Sequence, residues 1–262
     1  MSAMSAIQTI LFIGGNGAMA RFLQPRLEEA GYAVRGVDKP LDGEQLRTAA
    51  SGVDLVILAV PVPAVEEVLA KVVPFVPARA ILADICSVKD APLRHMLHYF
   101  SGDVVGTHPL FGPAPDAATP LRTVLVPGRG ANALERVRDV FERAGLVCFE
   151  STAEAHDRSV ALLQGLNFVT SVAYLACSAD QEAVATFMTP SFTRRLEAAK
   201  KMLLEDSPLF TALFEANPYS QDAVRQFRSY LNLAAAGDMD ILVEKAAWWW
   251  RGASYEEECY EI

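Results

Sequence analysis

Residues 7–38 constrain the fold more than any other stretch, because they read as a strand, a glycine turn, a helix and a second strand. Ile7 to Ile13 is an apolar run of strand length, and the turn after it reads G-G-N-G-A-M-A. An amphipathic helix is predicted over Ala20–Ala30 and a strand over Tyr32–Val37, and Asp38 closes the unit. This order is the full context of a dinucleotide-binding fingerprint, although a glycine turn without a ligand is the simpler alternative.

The turn matches G-x-G-x-x-A through Gly15, Gly17 and Ala20. We assign the tight turn to Gly15, and to Gly17 the close approach of the backbone to a pyrophosphate at the helix N-terminus. Asp38 would bond the ribose hydroxyls and repel a 2′-phosphate, which favours NAD over NADP, while Lys39 beside it leaves NADP open. The predicted cofactor-binding residues are Gly15, Asn16, Gly17, Ala18, Met19, Asp38, Val60 and Pro61.

Strands and helices go on alternating to about residue 150, which predicts a doubly wound α/β, or Rossmann, domain. The further predicted strands are 53–60, 80–85, 104–105, 123–126 and 147–150. Ligands of such sheets bind outside the carboxyl ends of the strands, where Ser87 and His108 fall. The stretch G-T-H-P-L-F-G-P at 106–113 is predicted to be a stiff loop. It holds His108 either as a catalytic base or as a cap on a strand end.

From about residue 151 the pattern changes to long helices. The first of them, predicted over Ala153–Ala179, is apolar on more than one face, as in a buried core or an oligomer interface. We therefore expect an NAD-binding domain over 1–150 and an all-α domain over 151–262 that binds substrate and forms a homodimer. The run Trp248-Trp249-Trp250 cannot share one helix face, so at least one tryptophan is expected at an interface or against a loop.

The net charge of −9 and the pI of about 5.0 argue against a nucleic-acid surface, but they leave a local site for a small anion open. Four scattered cysteines without a C-x-x-C pair are typical of free thiols in a reducing compartment and give no zinc or other metal site. We see no signal peptide and no uninterrupted apolar run that could span a bilayer. These observations predict a cytoplasmic protein with neither a nucleic-acid nor a membrane partner.

Four further motifs stand out, namely D-I-C-S-V-K at 84–89, G-T-H-P-L-F-G-P at 106–113, A-H-D at 155–157 and S-F-T-R-R-L-E at 191–197. Together they resemble prephenate dehydrogenases, and this resemblance covers nearly the whole chain. The resemblance implies an NAD-dependent enzyme of tyrosine biosynthesis that converts prephenate, a dicarboxylate, to 4-hydroxyphenylpyruvate by oxidative decarboxylation. The chain carries no segment matching a chorismate mutase or a regulatory domain, so we expect a monofunctional enzyme.

The resemblance also implies roles for individual residues. His108 would bond the ring hydroxyl and assist removal of its proton while hydride leaves the same carbon, and Ser87 would bind nearby and set the position of His108. An arginine at 192–196 would bind a substrate carboxylate, which we place on Arg194 with Arg195 close behind. Lys89 either belongs to the pocket or starts a helix. For His156 we expect an inter-domain hydrogen bond.

One position departs from the family, which often carries a second histidine in the first long helix. Asn167 occupies that site here, with Gln164 one turn earlier. The predicted substrate-binding residues are therefore Arg194, Arg195, Asn167, Gln164 and Lys89. The change makes 4-amino-4-deoxyprephenate, a precursor of p-aminophenylalanine in antibiotic pathways of secondary metabolism, an alternative substrate.

Two further alternatives are weaker. A dehydrogenase of the β-hydroxyacid type would need a lysine and an asparagine one helical turn apart, and Lys200 and Lys201 have no asparagine at that spacing. A non-catalytic NAD-binding sensor would have no need of Ser87 and His108. Replacement of His108 should therefore separate turnover from cofactor binding.

Overall fold

The computed structural model describes residues 6–177 and 182–250. Seven strands form a single sheet in the order β2-β1-β3-β4-β5-β6-β7. All neighbouring strands are parallel except β5 and β6, which are antiparallel. The strands are β1 (Thr9–Ile13), β2 (Ala33–Val37), β3 (Leu55–Leu58), β4 (Ile81–Asp84), β5 (Asp103–Pro109), β6 (Arg122–Arg129) and β7 (Val147–Glu150).

Helices cover both faces of this sheet, which confirms the predicted Rossmann-like fold. Because side chains alternate along a strand, Leu11 and Ile13 enter one apolar core, while Ile10 and Phe12 enter the other. The helices are α1 (Ala18–Glu29), α2 (Gly43–Ala49), α3 (Val65–Val72), α4 (Asp90–Tyr99) and α5 (Ala133–Arg143). The second, third and fourth helices pack on the first core, and α1 and α5 pack on the other. Helix α2, which the sequence did not reveal, starts at a cap formed by Asp42.

The prediction of a loop beginning at Gly106 is wrong, because β5 continues to Pro109. The antiparallel neighbour β6 pairs His108 with Val124 and Pro109 with Thr123. These hydrogen-bonding partners are distant in sequence, so the proline and glycine content of 106–113 did not reveal them. His108 is thus held in a strand of the sheet, near its carboxyl end.

The rest of the described chain is helical, as predicted. The first long helix consists of α6 (Ala153–Val160), a π-helical segment (Ala161–Leu166) and α7 (Asn167–Ala176). By length and composition alone this helix could cross a membrane, a property that apolar helices of soluble proteins share. It is followed by α8 (Pro190–Leu204), α9 (Ser207–Ala216), α10 (Ser220–Ala236) and α11 (Met239–Ala246), with 3-10 turns at Glu182–Phe187 and Ala247–Trp250. The end of the predicted first helix, at 178–179, and Cys259 lie outside the described residues.

We call residues 6–150 the sheet part and the described residues from 151 onward the helical part. Strand β7 ends at Glu150, and α6 starts after Thr152, whose side chain accepts a hydrogen bond from the Ala155 amide. A small apolar cluster of Val88, Val160 and Leu213 joins the two parts. This contact brings the start of α6 against α4, next to the carboxyl edge of the sheet.

Candidate active site

The glycine turn after β1 packs directly against two neighbouring strands. Gly14 has a φ of 91°, and a Cβ there would collide with the carbonyl oxygen of Ala59, just after β3. A Cβ on Gly15 would lie 2.9 Å from the Cα of Gly36 in β2. The left-handed turn residue is therefore Gly14, and our assignment of the tight turn to Gly15 is wrong. Gly15 is required for the close approach to β2, where Gly36 has the matching role that sequence reasoning missed.

The N-terminus of α1 has the properties of an anion site. Gly17 is its N-cap, no side chain caps it, and its first turn holds no acidic residue. The first amides of a helix have no partner within the helix and carry partial positive charge. Asn16 and Ala18 are exposed and Met19 is half-buried beside these amides. The segment therefore fits a pyrophosphate, as the fingerprint predicts.

Asp38 lies at the same turn. Both of its carboxylate oxygens are 3.1 Å from the backbone nitrogen of Asn16, which donates to them. Half-buried Val60 and exposed Pro61 follow β3. The chain leaves β1 for β2 on one side and returns to β3 on the other, so the predicted cofactor residues meet at the topological switch point of the sheet.

A buried polar cluster lies beside this point, at the ends of β4 and β5. Lys89 and Asp84 are both fully buried, and the Lys89 Nζ is 2.5 Å from Asp84 Oδ2 and 2.5 Å from the carbonyl oxygen of Thr107. Asp84 also accepts hydrogen bonds from the backbone amides of Cys86 and Thr107. The Lys89 ammonium is thus bound to the Asp84 carboxylate and the Thr107 carbonyl oxygen. It would have to break these bonds to contact a substrate. This geometry therefore favours a structural role at the start of α4 over a role in the substrate pocket.

His108 lies next to this cluster and is only 5% exposed. Burial, and then the nearby His156 and Lys89, hold the pKa of His108 well below its ordinary value. The ring is therefore neutral at physiological pH and can accept a proton. Its Nδ1 is 2.9 Å from Nε2 of His156. This bond joins β5 to α6, so the predicted inter-domain hydrogen bond of His156 is confirmed, and its partner is His108.

Asp157 completes the connection between the two parts. Its Oδ1 lies 2.7 Å from both the Lys89 amide and Nδ1 of His156, and its Oδ2 accepts from the Asp90 amide at 2.9 Å. The carboxylate, on α6, thereby caps the start of α4. Asn217 donates to the Asp157 carbonyl oxygen at 2.8 Å and fixes this turn of α6.

The remaining predicted substrate residues spread over the helical part. Half-buried Gln164 lies in the π-helical segment and exposed Asn167 just beyond it. The wider π turn weakens the prediction that these two share one helix face. Arg194 and Arg195 are exposed on α8, and the Arg195 guanidinium lies 3.9 Å from the centre of the Tyr174 ring. Ser87 is half-buried between β4 and α4, beside the strand that carries His108.

The structure thus brings Ser87, His108 and the glycine turn to one edge of the sheet, and leaves both arginines exposed on a helix that packs on α7 and α9. Sequence reasoning missed the structural roles of Asp84, Thr107 and Asp157. The sequence motifs could have pointed to two of them, because Asp84 is the first residue of the D-I-C-S-V-K motif and Asp157 directly follows His156.

Comparison with known proteins agrees with this arrangement. Residues 29–149 match a family model described as the nucleotide-binding domain of prephenate dehydrogenase. The T-protein of Enterobacter agglomerans is 27% identical over 225 residues, which are 84% of this chain and 60% of that protein. The chain therefore spans a little over half the length of the curated relatives it matches.

Solved structures show the same fold over nearly the whole chain. Prephenate dehydrogenase from A. aeolicus, in complex with hydroxyphenyl propionate and NAD+, superposes with a TM-score of 0.74 at 19% identity, covering 92% of this chain and 96% of that one. Arogenate dehydrogenase from Synechocystis gives a TM-score of 0.73 at 20% identity, with 92% and 97% coverage. At these identities the likeness concerns the fold.

Proposed function

We propose that this chain, whose residues 29–149 match the nucleotide-binding domain of prephenate dehydrogenase, catalyses the NAD-dependent oxidative decarboxylation of prephenate to 4-hydroxyphenylpyruvate. The observation that carries the proposal is the position of His108. It is a buried, neutral histidine at the same edge of the sheet as a helix N-terminus built for an anion. A base beside a dinucleotide site is the arrangement that dehydrogenation of a hydroxyl-bearing carbon requires.

The residues around the glycine turn would hold NAD. The uncapped start of α1 would bind the pyrophosphate, and Asp38, already oriented by the Asn16 amide, would accept hydrogen bonds from the ribose hydroxyls. The same carboxylate would repel a 2′-phosphate, which supports NAD over NADP. When bound, the nicotinamide supplies the hydride acceptor.

In this proposal His108 acts on the ring hydroxyl of the substrate. Its Nδ1 is occupied by His156, so Nε2 is the atom that takes up the hydroxyl proton while hydride leaves the same carbon. Loss of the ring carboxylate as CO2 makes the ring aromatic, and the proton on Nε2 returns to the product oxygen. The dianion thus becomes a monoanionic keto acid and CO2. Ser87, beside this strand, would bond the same hydroxyl and help position the imidazole.

We place the carboxylate-binding role on Arg194, with Arg195 as the alternative, because a guanidinium binds a carboxylate in bidentate fashion. Both side chains are exposed on α8 and free of a salt bridge within the described chain, so either is available to an anionic ligand. Gln164 and Asn167 would line the substrate side of the site as neutral groups.

The neutral side chain of Asn167 favours a second candidate substrate, 4-amino-4-deoxyprephenate, since a charged histidine there would repel the amino group if the latter is protonated. The two substrates are distinguished by comparing NADH formation with prephenate, its 4-amino analogue and arogenate in parallel. Turnover of none of the three would overturn the proposed function.

The test of the base is His108→Asn. We expect kcat to fall by about 10²–10⁴-fold, the usual contribution of a general base, while NAD affinity measured by calorimetry stays nearly unchanged. His98→Asn is the matched control, because His98 is an exposed histidine on α4. Wild-type turnover in the His108 variant would remove the catalytic role from this residue.

We also propose that the chain is divided near residue 150, works as a cytoplasmic enzyme and pairs as a homodimer through its helical part, without nucleic-acid or membrane partners. The exposed apolar side chains of the helical part support the dimer. The net charge of −9 disfavours nucleic acid. Cys86, Cys148 and Cys177 are free thiols, as a reducing compartment requires.

A further inference from the structure

His156 links the candidate base to a buried carboxylate. It is 4% exposed, with Nε2 at 2.9 Å from His108 Nδ1 and Nδ1 at 2.7 Å from Asp157 Oδ1. Both of its ring nitrogens are therefore used, one on each side. The two imidazoles meet edge to face, with ring centres 5.1 Å apart and planes at 77°. In the chemistry proposed so far, His156 only occupies Nδ1 of His108.

These two contacts, together with the premise of a neutral His156, set where the protons lie. An ionised carboxylate only accepts hydrogen bonds, so Nδ1 of His156 must donate to Asp157. A neutral His156 then carries no proton on Nε2, which must accept. His108 Nδ1 is consequently the donor, and the lone pair of the His108 ring lies on Nε2, the atom that the proposed chemistry uses.

The opposite arrangement would disable the base. Without an acceptor at Nε2 of His156, His108 would be free to carry its proton on its own Nε2, and that nitrogen could not take a proton from a substrate. Within the described chain, Ser220 Oγ is the fully buried polar side-chain atom that lacks a partner. Among the described residues His108 Nε2 has no hydrogen-bond partner and is not one of these fully buried atoms, so a ligand can reach it.

We propose that His156, held by Asp157, is a positioning residue that fixes His108 in the Nδ1–H tautomer, with the Asp157 carboxylate placed to balance the charge that a proton on His108 would create. This inference rests on the proposed function only for the identity of the group from which His108 takes a proton. The tautomer itself is a property of the protein without any substrate.

The charges around the pair fit this role. Lys89 lies on the His108 side, where its ammonium opposes a positive imidazole but is neutralised by Asp84 at 2.5 Å. Asp157 lies on the far side of His156, and its remaining bonds come from backbone amides of α4. A proton accepted at His108 Nε2 can be matched by movement of the Nδ1 proton toward His156. Part of the new charge is then shared with the imidazole that contacts Asp157.

The direct test is the tautomer of His108, read from the ¹⁵N chemical shifts of its ring at neutral pH. The chain has four histidines, so single substitutions assign each signal. We expect a protonated Nδ1 and an unprotonated Nε2 in the wild-type protein. In His156→Leu, which removes the acceptor, the proton should shift largely to Nε2. In His156→Gln, whose side-chain oxygen can accept from Nδ1, the wild-type tautomer should persist.

Kinetics separate positioning from simple packing. We expect His156→Leu to lower kcat by about 10–100-fold, as loss of an orienting partner does elsewhere, with little change in KM. His156→Gln should recover much of that loss, and His98→Leu, the same change at an exposed histidine, should have no effect. If Leu and Gln reduce kcat equally, or if both act only through lower thermal stability, His156 has a structural role and the inference is wrong.

The two proposals fail in different ways. A wild-type His108 that carries its proton on Nε2, or a tautomer that ignores His156→Leu, overturns the positioning role whatever the enzyme turns over. Absence of turnover with every substrate, together with a tautomer that depends on residue 156, overturns the proposed function and leaves the positioning role standing. The tautomer of His108 and the turnover of substrate are measured on the same set of protein samples.

Discussion

The two parts of the chain are similarly rich in apolar residues but place them differently. In the sheet part, Leu110 and Val147 are the large apolar side chains that are exposed among the described residues. In the helical part many large apolar side chains face solvent. They are Leu162, Leu163, Val172, Tyr174, Phe187, Met188, Leu204, Leu209, Leu231, Leu233, Met239, Ile241, Val243 and Trp248–Trp250.

This difference predicts where each part obtains its stability. The sheet part buries two large cores of its own, one on each face. The helical part meets it through a small cluster formed by Val88, Val160 and Leu213 and through Ala153, which packs on the first core. An exposed apolar surface of this extent is typical of a chain that is completed by association. We therefore expect intrachain contacts to determine the stability of the sheet part, and contacts between chains to determine that of the helical part.

Lys89→Met should produce the largest effect and act within one chain. It leaves the fully buried Asp84 carboxylate without its ammonium partner, which should cost about 3–5 kcal/mol of unfolding free energy in urea titrations. The loss should be the same at low and high protein concentration. Lys71→Met is the control, because the Lys71–Glu67 pair is exposed and should cost less than about 0.5 kcal/mol. Equal losses in both variants would contradict the importance of the buried pair.

Val172→Asp tests the other side of the comparison. If Val172, which is 40% exposed, is covered by a second chain, a charge there should cost about 1.5–3 kcal/mol per chain and shift the protein to monomers. Sedimentation equilibrium would measure the mass, and unfolding should lose its dependence on protein concentration. Val147→Asp, on strand β7 of the sheet part, should leave the mass unchanged. A dimer that survives Val172→Asp would place the interface elsewhere.

The smallest effect concerns pH. His108 stays neutral in the folded chain because burial lowers its pKa, whereas the unfolded chain takes up a proton as pH falls below about 6.5. Stability should therefore decrease as pH falls, by about 1.4 kcal/mol from this residue between about pH 7.5 and about pH 5.5. His108→Asn should remove that part of the pH dependence in urea titrations, and His98→Asn should not. If the contribution of His108 to the unfolding free energy instead rose as pH fell, the predicted direction of this pH dependence would be wrong.

Local sequence patterns were enough for the fold class and for the cofactor turn. The strand–turn–helix order around Gly15 and Gly17 depends on residues close in sequence, so composition and spacing revealed it. The positive φ at Gly14 was assigned to its neighbour, because the pattern does not show which glycine faces Ala59. That choice depends on how closely β1 and β3 approach, which is a property of the assembled sheet.

Contacts between segments that are distant in sequence were harder to predict from the sequence. The extension of β5 over His108 depends on pairing with β6, and the burial of Lys89, at the start of α4, depends on Asp84 in β4 and Thr107 in β5. The sequence predicted an inter-domain bond for His156 but not its partner, since 48 residues separate the two histidines. Periodicity reports which face of an element is buried and does not report what lies opposite it.

Asp157 has a consequence beyond the cap that it forms on α4. One carboxylate holds the first amides of α4 in the sheet part and the imidazole of His156 in the helical part. If α6 moved away from α4, these contacts and the bond between His108 and His156 would be lost together. Asp157 thus couples the orientation of the candidate base to the docking of α6 on α4.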